Sequence, residues 1–169
     1  MTPQDESTFT AFVTEHGDGL LRYARMLFGG LHDAEDGLQT ALLRVARNWS
    51  KASRSPVAYS RTALRNLAAD GGRRRHLLPV PSDAEPTCPP EPDLADAQAA
   101  AAHLDALLSV LPPRQRVAIV LRVIDGMSEA EAATAMKCSA GTVKSNLSRG
   151  LVALRGRMAP LTPHERTAP

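Results

Sequence analysis

The sequence predicts an all-α protein of two small helical domains, and three observations support this. Aromatic residues make up only 4% of the 169 residues, whereas hydrophobic residues reach 43%. This composition favours packed helices over β-sandwiches or barrels. Apolar residues recur at intervals of three and four on both sides of a proline-rich segment. We therefore expect domains over residues 7–76 and 95–158, joined by a linker, residues 77–94, and followed by a tail, residues 159–169.

Composition also excludes several classes of protein. No apolar run approaches the roughly 18–20 residues that cross a bilayer, and the N-terminus lacks the basic start and apolar core of a secretory signal. Cys88 and Cys138 are isolated, so we expect neither a disulfide framework nor a metal site. Without a Ser/His/Asp set or a Gly-rich phosphate loop, we predict neither an enzyme nor a bound cofactor. The chain is predicted to be cytoplasmic.

Charge is segregated along the chain, although the formal net charge is only +2. From Leu77 to Pro113 there are six acidic residues and no Lys or Arg, and residues 79–92 include six prolines. Since proline excludes a helix or strand interior, residues 77–94 are predicted to be a flexible acidic spacer. The alternative is that these acids keep the flanking basic surfaces apart before a partner binds. Clustered positive charge on both sides of the linker is typical of proteins that bind polyanions.

Four helical stretches are predicted in the N-terminal domain. They run from Ser7 or Thr8 to Gly17, from Leu20 to Gly29, from Asp33 to Trp49, and from Pro56 into Arg73, Arg74 and Arg75. The pair Gly71-Gly72 favours an earlier end of the fourth helix. Phe9, Leu38 and Leu64 are predicted core residues on the apolar faces. Trp49 is interpreted as a packed helix end, with a nucleobase platform as the alternative.

The C-terminal domain carries the pattern of a helix-turn-helix. A helix after Pro113 is predicted to direct four apolar residues inward and to end at Asp125-Gly126; they are Val117, Val120, Leu121 and Ile124. Ser128 and Glu131 fit a capping box that opens a short helix through Met136. A turn over residues 137–139 then leads into a last helix capped by Ser139.

The outer face of this last helix combines small hydroxyls, an amide and basic side chains: Thr142, Lys144, Ser145, Asn146, Ser148 and Arg149. Such groups suit hydrogen bonds to phosphates and base edges in a major groove. The alternative is a helical bundle with a merely solvated face.

Both domains resemble bacterial RNA polymerase sigma factors. Asp33-Ala34-Glu35-Asp36-Gly37-Leu38-Gln39-Thr40, with Arg44 and Trp49, resembles region 2.2, and residues 56–75 are similar to regions 2.3 and 2.4. Residues 111–116, 126–133 and 141–150 are similar to region 4. The chain has no room for regions 1.1 or 3, so it is identified as a member of the extracytoplasmic-function (ECF) group, and its Ala- and Arg-rich character suggests an actinobacterial source. Thr40 stands where the family often has an acid.

The resemblance implies partners and site residues. Core RNA polymerase would be bound at its β′ clamp helices and β flap, the former through Glu35, Asp36, Gln39 and Arg44. The −10 promoter element would be held by Arg61, Arg65, Asn66, Arg73, Arg74 and Arg75, with the loop at about residues 50–55. The −35 element would be read by Thr142, Lys144, Ser145, Asn146, Ser148, Arg149 and Arg155. An anti-sigma factor is a further implied partner.

Two other classes of protein remain as alternatives. One is a two-domain helix-turn-helix regulator that binds DNA only through residues 100–157 and has no affinity for core polymerase. The other is a helical enzyme, for which the sequence offers no set of reactive side chains.

Overall fold

The computed structural model describes residues 2–75 and 95–158, and these ranges are helical without a strand, as predicted. The helices are α1 Pro3–Phe28, α2 Leu31–Arg47, α3 Trp49–Ala52, α4 Pro56–Arg75, α5 Ala95–Ser109, α6 Pro113–Ile119, α7 Glu129–Met136 and α8 Ala140–Met158, with a π-helical turn, Val120–Ile124, after α6. We call α1–α4 the N-terminal lobe and α5–α8 the C-terminal lobe. The predicted linker, residues 77–94, and the predicted tail, residues 159–169, lie outside the described residues.

Helix α1 is continuous, whereas the sequence pattern predicts two helices here. It begins at a capping box, in which Thr2 Oγ1 accepts from the Asp5 N–H at 3.2 Å and the Asp5 carboxylate accepts from the Thr2 N–H at 2.9 Å. Gly17 lies inside the helix, so the predicted interruption is wrong. An interior glycine costs about 1 kcal/mol relative to alanine. Burial of Phe12 and Leu20 on either side of Gly17 offsets that cost.

Trp49 closes the core of the N-terminal lobe at the start of α3. Its indole Nε1 donates to Thr8 Oγ1 at 3.0 Å. The indole ring meets Phe9 edge-on at 5.2 Å between centroids and lies 5.7 Å from Phe12. Trp49 is therefore buried as a packed helix end, as interpreted from the sequence, and is not available as a nucleobase platform.

Helix α4 crosses the lobe and continues through Gly71 to Arg75, so the predicted run of this helix into Arg73–Arg75 is confirmed and the alternative of an early end at Gly71-Gly72 is wrong. Leu64 and Ala68 are buried one turn apart, which fixes this face of α4 on the core. Nothing fills the space around Gly71, and a helical backbone there needs no special conformation.

In the C-terminal lobe, Val117, Val120 and Leu121 are buried as predicted, but Ile124 is 40% exposed. The prediction for Ile124 is wrong because the helix widens into a π turn, where the Asp125 N–H donates to the Val120 carbonyl at 2.9 Å, five residues back. The extra residue in this turn rotates Ile124 away from the core.

The two lobes pack against each other around one continuous set of buried residues. Leu27 of α1 and Leu108 of α5 both belong to this core. Arg116 of α6 is 4% exposed, and its guanidinium donates to the carbonyls of Leu27 at 3.2 Å and Ser109 at 3.2 Å. These carbonyls lie at the C-terminal ends of α1 and α5, where the helix dipoles favour a cation. Helix α5 was not among the helices predicted from the sequence.

Candidate nucleic-acid interface

The helix-turn-helix is built by local hydrogen bonds. Ser128 Oγ accepts from the Glu131 N–H at 3.2 Å and the Glu131 carboxylate accepts from the Ser128 N–H at 2.8 Å, so the predicted capping box is confirmed. These hydrogen bonds lower the pKa of Glu131 below its usual value. Lys137 ends α7 in the left-handed region with φ 50°, and Ser139 Oγ accepts from the Thr142 N–H at 3.2 Å. The turn and the cap of α8 thus form as predicted.

Helix α8 presents its polar face to solvent. Lys144, Ser148, Arg149 and Arg155 are exposed, and Thr142, Ser145 and Asn146 are half-buried. The Asn146 amide Nδ2 donates to the Thr142 carbonyl at 2.8 Å, and the Thr142 hydroxyl lies 2.9 Å from the Ser139 hydroxyl. All seven residues predicted for the −35 element therefore lie on one helix. A base edge that bound Asn146 or Thr142 would have to replace the hydrogen bonds that these side chains make to neighbouring residues.

The opposite face of α8 is held against α6 by a close approach at Gly150. A Cβ added at Gly150 would lie 2.7 Å from Ile119 Cδ1, which is closer than carbon atoms pack. Val143 is fully buried on the same side. This contact fixes the position of α8 relative to the rest of the lobe.

A basic pocket of about 550 Å³ lies where α2, α3 and α4 meet. Its polar lining includes Arg44, Asn48, Lys51, Arg54, Tyr59 and Asn66, and none of its lining residues carries a carboxylate. A volume of this size can hold a nucleobase with its sugar. The family resemblance places the loop at about residues 50–55 and Asn66 at the −10 element, and both lie at this pocket. Arg44 was predicted to contact core polymerase instead, and Asn48 was not among the predicted site residues.

Arg61 lies further along α4, beside a second pocket of about 530 Å³ that His16 and Arg65 also line. The Arg61 guanidinium lies 4.8 Å from the centroid of the Tyr23 ring, within cation–π distance. Arg61 is nevertheless exposed, so this predicted DNA-contact residue is accessible.

Arg65 is paired with the C-terminal lobe, which the sequence pattern did not indicate. Its Nε–H donates to Asp125 Oδ2 at 3.0 Å and to the Tyr23 hydroxyl at 2.9 Å, and Tyr23 donates to the same Asp125 oxygen at 2.6 Å. Burial and the hydrogen bond to Asp125 raise the pKa of Tyr23 above its ordinary value. Burial alone would lower the pKa of Arg65, but Tyr23 and Asp125 outweigh it and raise that pKa.

The remaining arginines predicted for the −10 element, Arg73, Arg74 and Arg75, lie in the last turn of α4. Because α4 is unbroken, these residues lie on the same helix as Arg61, Arg65 and Asn66. The side chains of Arg73–Arg75 lie outside the described part of the structure.

Helix α2 has an exposed face on the far side from the core. Glu35, Asp36 and Gln39 are exposed on it, as predicted, and Asp36 lies 3.7 Å from His32. Arg44 is also exposed, but it lines the basic pocket at the other end of the helix. Two apolar side chains, Leu31 at 51% and Leu43 at 55% exposure, flank this face. Neither leucine was among the predicted site residues, although their four-residue spacing from Glu35 and Gln39 places them on one face.

No group of three or more His, Cys, Asp or Glu side chains in the described residues could hold a metal ion. Among the same residues, no helix is both long and apolar enough to span a membrane.

An exposed helix-turn-helix in one lobe is typical of DNA-binding proteins, and the other lobe carries a basic, carboxylate-free pocket. Two family models match the same two lobes: Sigma-70 region 2 over residues 12–77 and Sigma-70, region 4 over residues 102–154. The chain therefore belongs to the sigma-70 family of RNA polymerase sigma factors, in its ECF group.

Similar proteins agree with this assignment. The RNA polymerase sigma-E factor of Streptomyces coelicolor is 41% identical over 149 residues, which cover 87% of this chain and 84% of that protein. The ECF RNA polymerase sigma factor SigE of Mycolicibacterium smegmatis is 34% identical over 182 residues, which cover 93% of this chain and 70% of that protein. Among solved structures, the sigma factor RpoE in complex with the anti-sigma factor NepR from Bartonella quintana matches with a TM-score of 0.52 at 26% identity, covering 88% of this chain and 94% of that one.

Proposed function

We propose that this sigma factor directs transcription initiation by binding core RNA polymerase through α2 and promoter DNA through α4 and α8. The observation that carries the proposal is the presence, in one chain, of an exposed helix-turn-helix and of a basic pocket that has the size of a nucleoside. A regulator that bound DNA only through residues 100–157 would have no need of the basic pocket in the N-terminal lobe.

We assign polymerase docking to the exposed face of α2. Glu35, Asp36 and Gln39 offer carboxylates and an amide to the β′ clamp helices, and they are exposed on the side of α2 away from the core. The apolar side chains Leu31 and Leu43 extend this face at both ends and would lose water contact on docking. Of the four residues predicted to contact core polymerase, Arg44 has the least support, because it also lines the basic pocket.

We assign capture of an opened −10 strand to the pocket between α2, α3 and α4. Removing a base from the duplex stack costs a few kcal/mol, which contacts within the pocket and along the strand have to offset. Lys51 and Arg54 supply positive charge at the pocket, while Tyr59 and Asn66 supply a ring and an amide that can meet a base. Arg61 and Arg73–Arg75 would follow the strand along α4.

We assign the −35 element to α8, read in the major groove. Lys144, Arg149 and Arg155 are exposed cations for phosphates, and Thr142, Ser145 and Asn146 are uncharged polar groups in the first two turns of the helix. The two DNA contacts are joined by one chain, so binding of either raises the effective concentration of the other. A contact of the C-terminal lobe with the β flap belongs to the same proposal.

An anti-sigma factor is the further partner that we propose. The solved relative from Bartonella quintana is in complex with one, and this chain covers 94% of that relative. We also propose a cytoplasmic location, since polymerase and promoter are found there, and no catalytic activity of the chain itself.

Reconstituted transcription tests the proposal. Core polymerase is incubated with a library of genomic fragments, with and without the chain, and start sites that require the chain are mapped. We expect such sites to share two sequence elements at a fixed spacing. An absence of chain-dependent start sites, together with duplex binding by residues 100–157, would favour the regulator alternative.

A further inference from the structure

Arg44 leaves α2 on a different side from the face assigned to polymerase. That face is an exposed stripe along the helix, in which residues follow one another at intervals of four: Leu31, Glu35, Gln39 and Leu43. Arg44 comes nine residues after Glu35, which is about two and a half turns of a helix. The side chains of Glu35 and Arg44 therefore leave α2 in opposite directions, and a partner that lies along the stripe faces away from Arg44.

Arg44 instead lines the basic pocket together with two other cations, Lys51 and Arg54. The three come from different segments, since Arg44 lies on α2, Lys51 lies on α3, and Arg54 lies in the turn before α4. The Asn48 amide Nδ2 donates to the Arg44 carbonyl at 2.9 Å, which ties the start of α3 to the last turn of α2. The fold thus gathers three positive charges around one pocket.

These three cations have no counter-charge in the part of the chain that the structure describes. No carboxylate lines the pocket, and no carboxylate of the described residues forms an ion pair with Arg44, Lys51 or Arg54. By contrast, Arg65 of α4 is paired with Asp125. Like charges that share a pocket repel each other, and an anion that enters the pocket offsets this repulsion. The pocket is therefore suited to the phosphate of a nucleotide as well as to its base.

A role at the end of α2 alone does not distinguish Arg44 from its neighbour Arg47. Both arginines lie in the last turn of α2, where a cation interacts favourably with the helix dipole, and both are exposed. Arg47 is not among the residues that line the pocket. The two arginines therefore share a helix and a charge, and they differ in their access to the pocket.

We propose that Arg44 contacts promoter DNA and not core polymerase: its guanidinium binds a phosphate of the opened −10 strand beside the nucleotide whose base occupies the pocket. This inference rests on the function proposed above, because it deepens the role of the same pocket. The base then lies against Tyr59 and Asn66 of α4, and the backbone passes α2 and α3. A guanidinium can bind two oxygens of one phosphate at once, so Arg44 also fixes the position of the strand.

Arg44→Ala separates contact with polymerase from contact with DNA, and Arg47→Ala is the matched control. Alanine favours a helix, and Asn48 donates to a backbone carbonyl, so both variants are expected to keep their helical content. Affinity for core polymerase is measured with full-length chain labelled with fluorescein at its N-terminus. We expect both variants to bind polymerase as wild type does. If Arg44→Ala binds polymerase as poorly as a chain carrying Glu35→Lys and Asp36→Lys, Arg44 belongs to the polymerase contact and the proposal is wrong.

Binding of DNA is compared with holoenzymes that contain each chain, on a forked fragment of a mapped promoter whose −10 region is single-stranded. At about 0.1 M salt, one phosphate contact to a single strand contributes about five-fold in affinity and about 0.7 to the slope of log affinity against log salt. We expect Arg44→Ala to lose both contributions and Arg47→Ala to lose neither. Equal binding of the fragment by the two variants would overturn the proposal.

Neutral methylphosphonate linkages identify the phosphate. One linkage at a time is replaced along the −10 strand of the fragment, and each fragment is measured with wild type and with Arg44→Ala. At the phosphate that Arg44 binds, we expect the replacement to weaken wild-type binding about five-fold and Arg44→Ala binding not at all, because both changes remove the same contact. Independent, additive losses at every linkage would show that Arg44 binds no phosphate of this strand.

Failure of the proposed function would give a different result. If wild type binds no core polymerase and no promoter can be mapped, the proposed function fails. The phosphate site can then still be tested by the affinity of the free chain for a fluorescein-labelled oligothymidylate of about ten nucleotides at low salt. Weaker binding by Arg44→Ala than by Arg47→Ala would support the site, and equal binding would refute it.

Discussion

The guanidinium of Arg116 occupies the space that a side chain at Gly29 would need. A Cβ built at Gly29 would lie 1.5 Å from Arg116 Nη1, and Gly29 ends α1 in the left-handed region with φ +79°. The guanidinium cannot move aside easily, because it is buried and donates to the carbonyls of Leu27 and Ser109. The end of α1 and the packing of the two lobes therefore depend on the same glycine.

We predict that Gly29→Ala destabilises the chain by about 2 kcal/mol or more. The left-handed backbone alone costs about 1 kcal/mol for a residue with a Cβ, and displacement of a buried cation from its carbonyl partners adds to it. The measurement is the free energy of unfolding from urea titrations followed by circular dichroism. Gly71→Ala is the matched control, because Gly71 is helical and has no atom within 4 Å of a built Cβ. That variant is expected to be as stable as wild type or more stable by up to about 1 kcal/mol. Equal effects of the two substitutions would contradict the role of Arg116.

Asp105 should make the chain less stable as the pH rises, which is the opposite of the usual effect of a carboxylate in an ion pair. Burial raises the pKa of Asp105, and Arg25 only partly opposes it. An acid whose pKa is higher in the folded state than in the unfolded state stabilises the fold below its unfolded pKa. It loses that contribution as the pH rises through its folded pKa.

We predict that wild type becomes less stable relative to Asp105→Asn as the pH rises above the ordinary value of 3.8 through the raised one. The measurement is the difference in unfolding free energy between the two chains at several pH values from about 3.5 to 7, in which the titration of all other groups cancels. At neutral pH the variant should be at least as stable as wild type. The opposite trend, with wild type losing stability on acidification, would mean that attraction to Arg25 outweighs burial.

Local features of the fold could be predicted from the sequence because their causes lie within a few residues. The capping box of Ser128 and Glu131 and the cap at Ser139 act over three residues, and all form as expected. Gly17 misled the prediction of α1 because a lone glycine resembles a helix end in sequence, whereas packing on both sides of it decides the outcome. The π turn that exposes Ile124 adds one residue to a helical turn, which a period of 3.6 cannot anticipate.

For the candidate sites, too, features with local causes could be predicted from the sequence, and features that depend on distant residues could not. The exposed face of α8 follows from helical spacing alone. The pairing of Arg65 with Asp125 joins residues 60 positions apart, and no pattern of charge or hydropathy along the chain indicates it. The surroundings of Arg44 could not be predicted from the sequence either. Arg44 lies on α2 with Glu35, but it lines a pocket formed with α3 and α4, and that pocket determines what Arg44 can contact.

We predict that Arg149→Ala weakens binding of duplex promoter DNA and reduces the slope of log affinity against log salt by about 1. Arg149 is exposed on α8, and an arginine bound to one phosphate releases about one counterion. The measurement is fluorescence anisotropy on a fragment that carries only the −35 half of a mapped promoter, at several salt concentrations. Arg47→Ala removes an exposed positive charge from α2 instead and should leave the slope unchanged. An unaltered slope in Arg149→Ala would remove Arg149 from the interface.

The docking face of α2 is tested by charge reversal. We predict that a chain carrying Glu35→Lys and Asp36→Lys loses most of its binding to core polymerase, measured by co-purification and by chain-dependent transcription. These carboxylates are exposed and turned away from the core, so the variant should keep its helical content by circular dichroism. The control carries Glu15→Lys and Asp18→Lys. These substitutions replace two exposed acids of α1 and change the net charge by the same amount. If the two variants bind polymerase equally well, docking does not use this face of α2. If only the α2 variant fails, and it still binds the −35 fragment as wild type does, the loss lies at the polymerase contact and not in the helix-turn-helix.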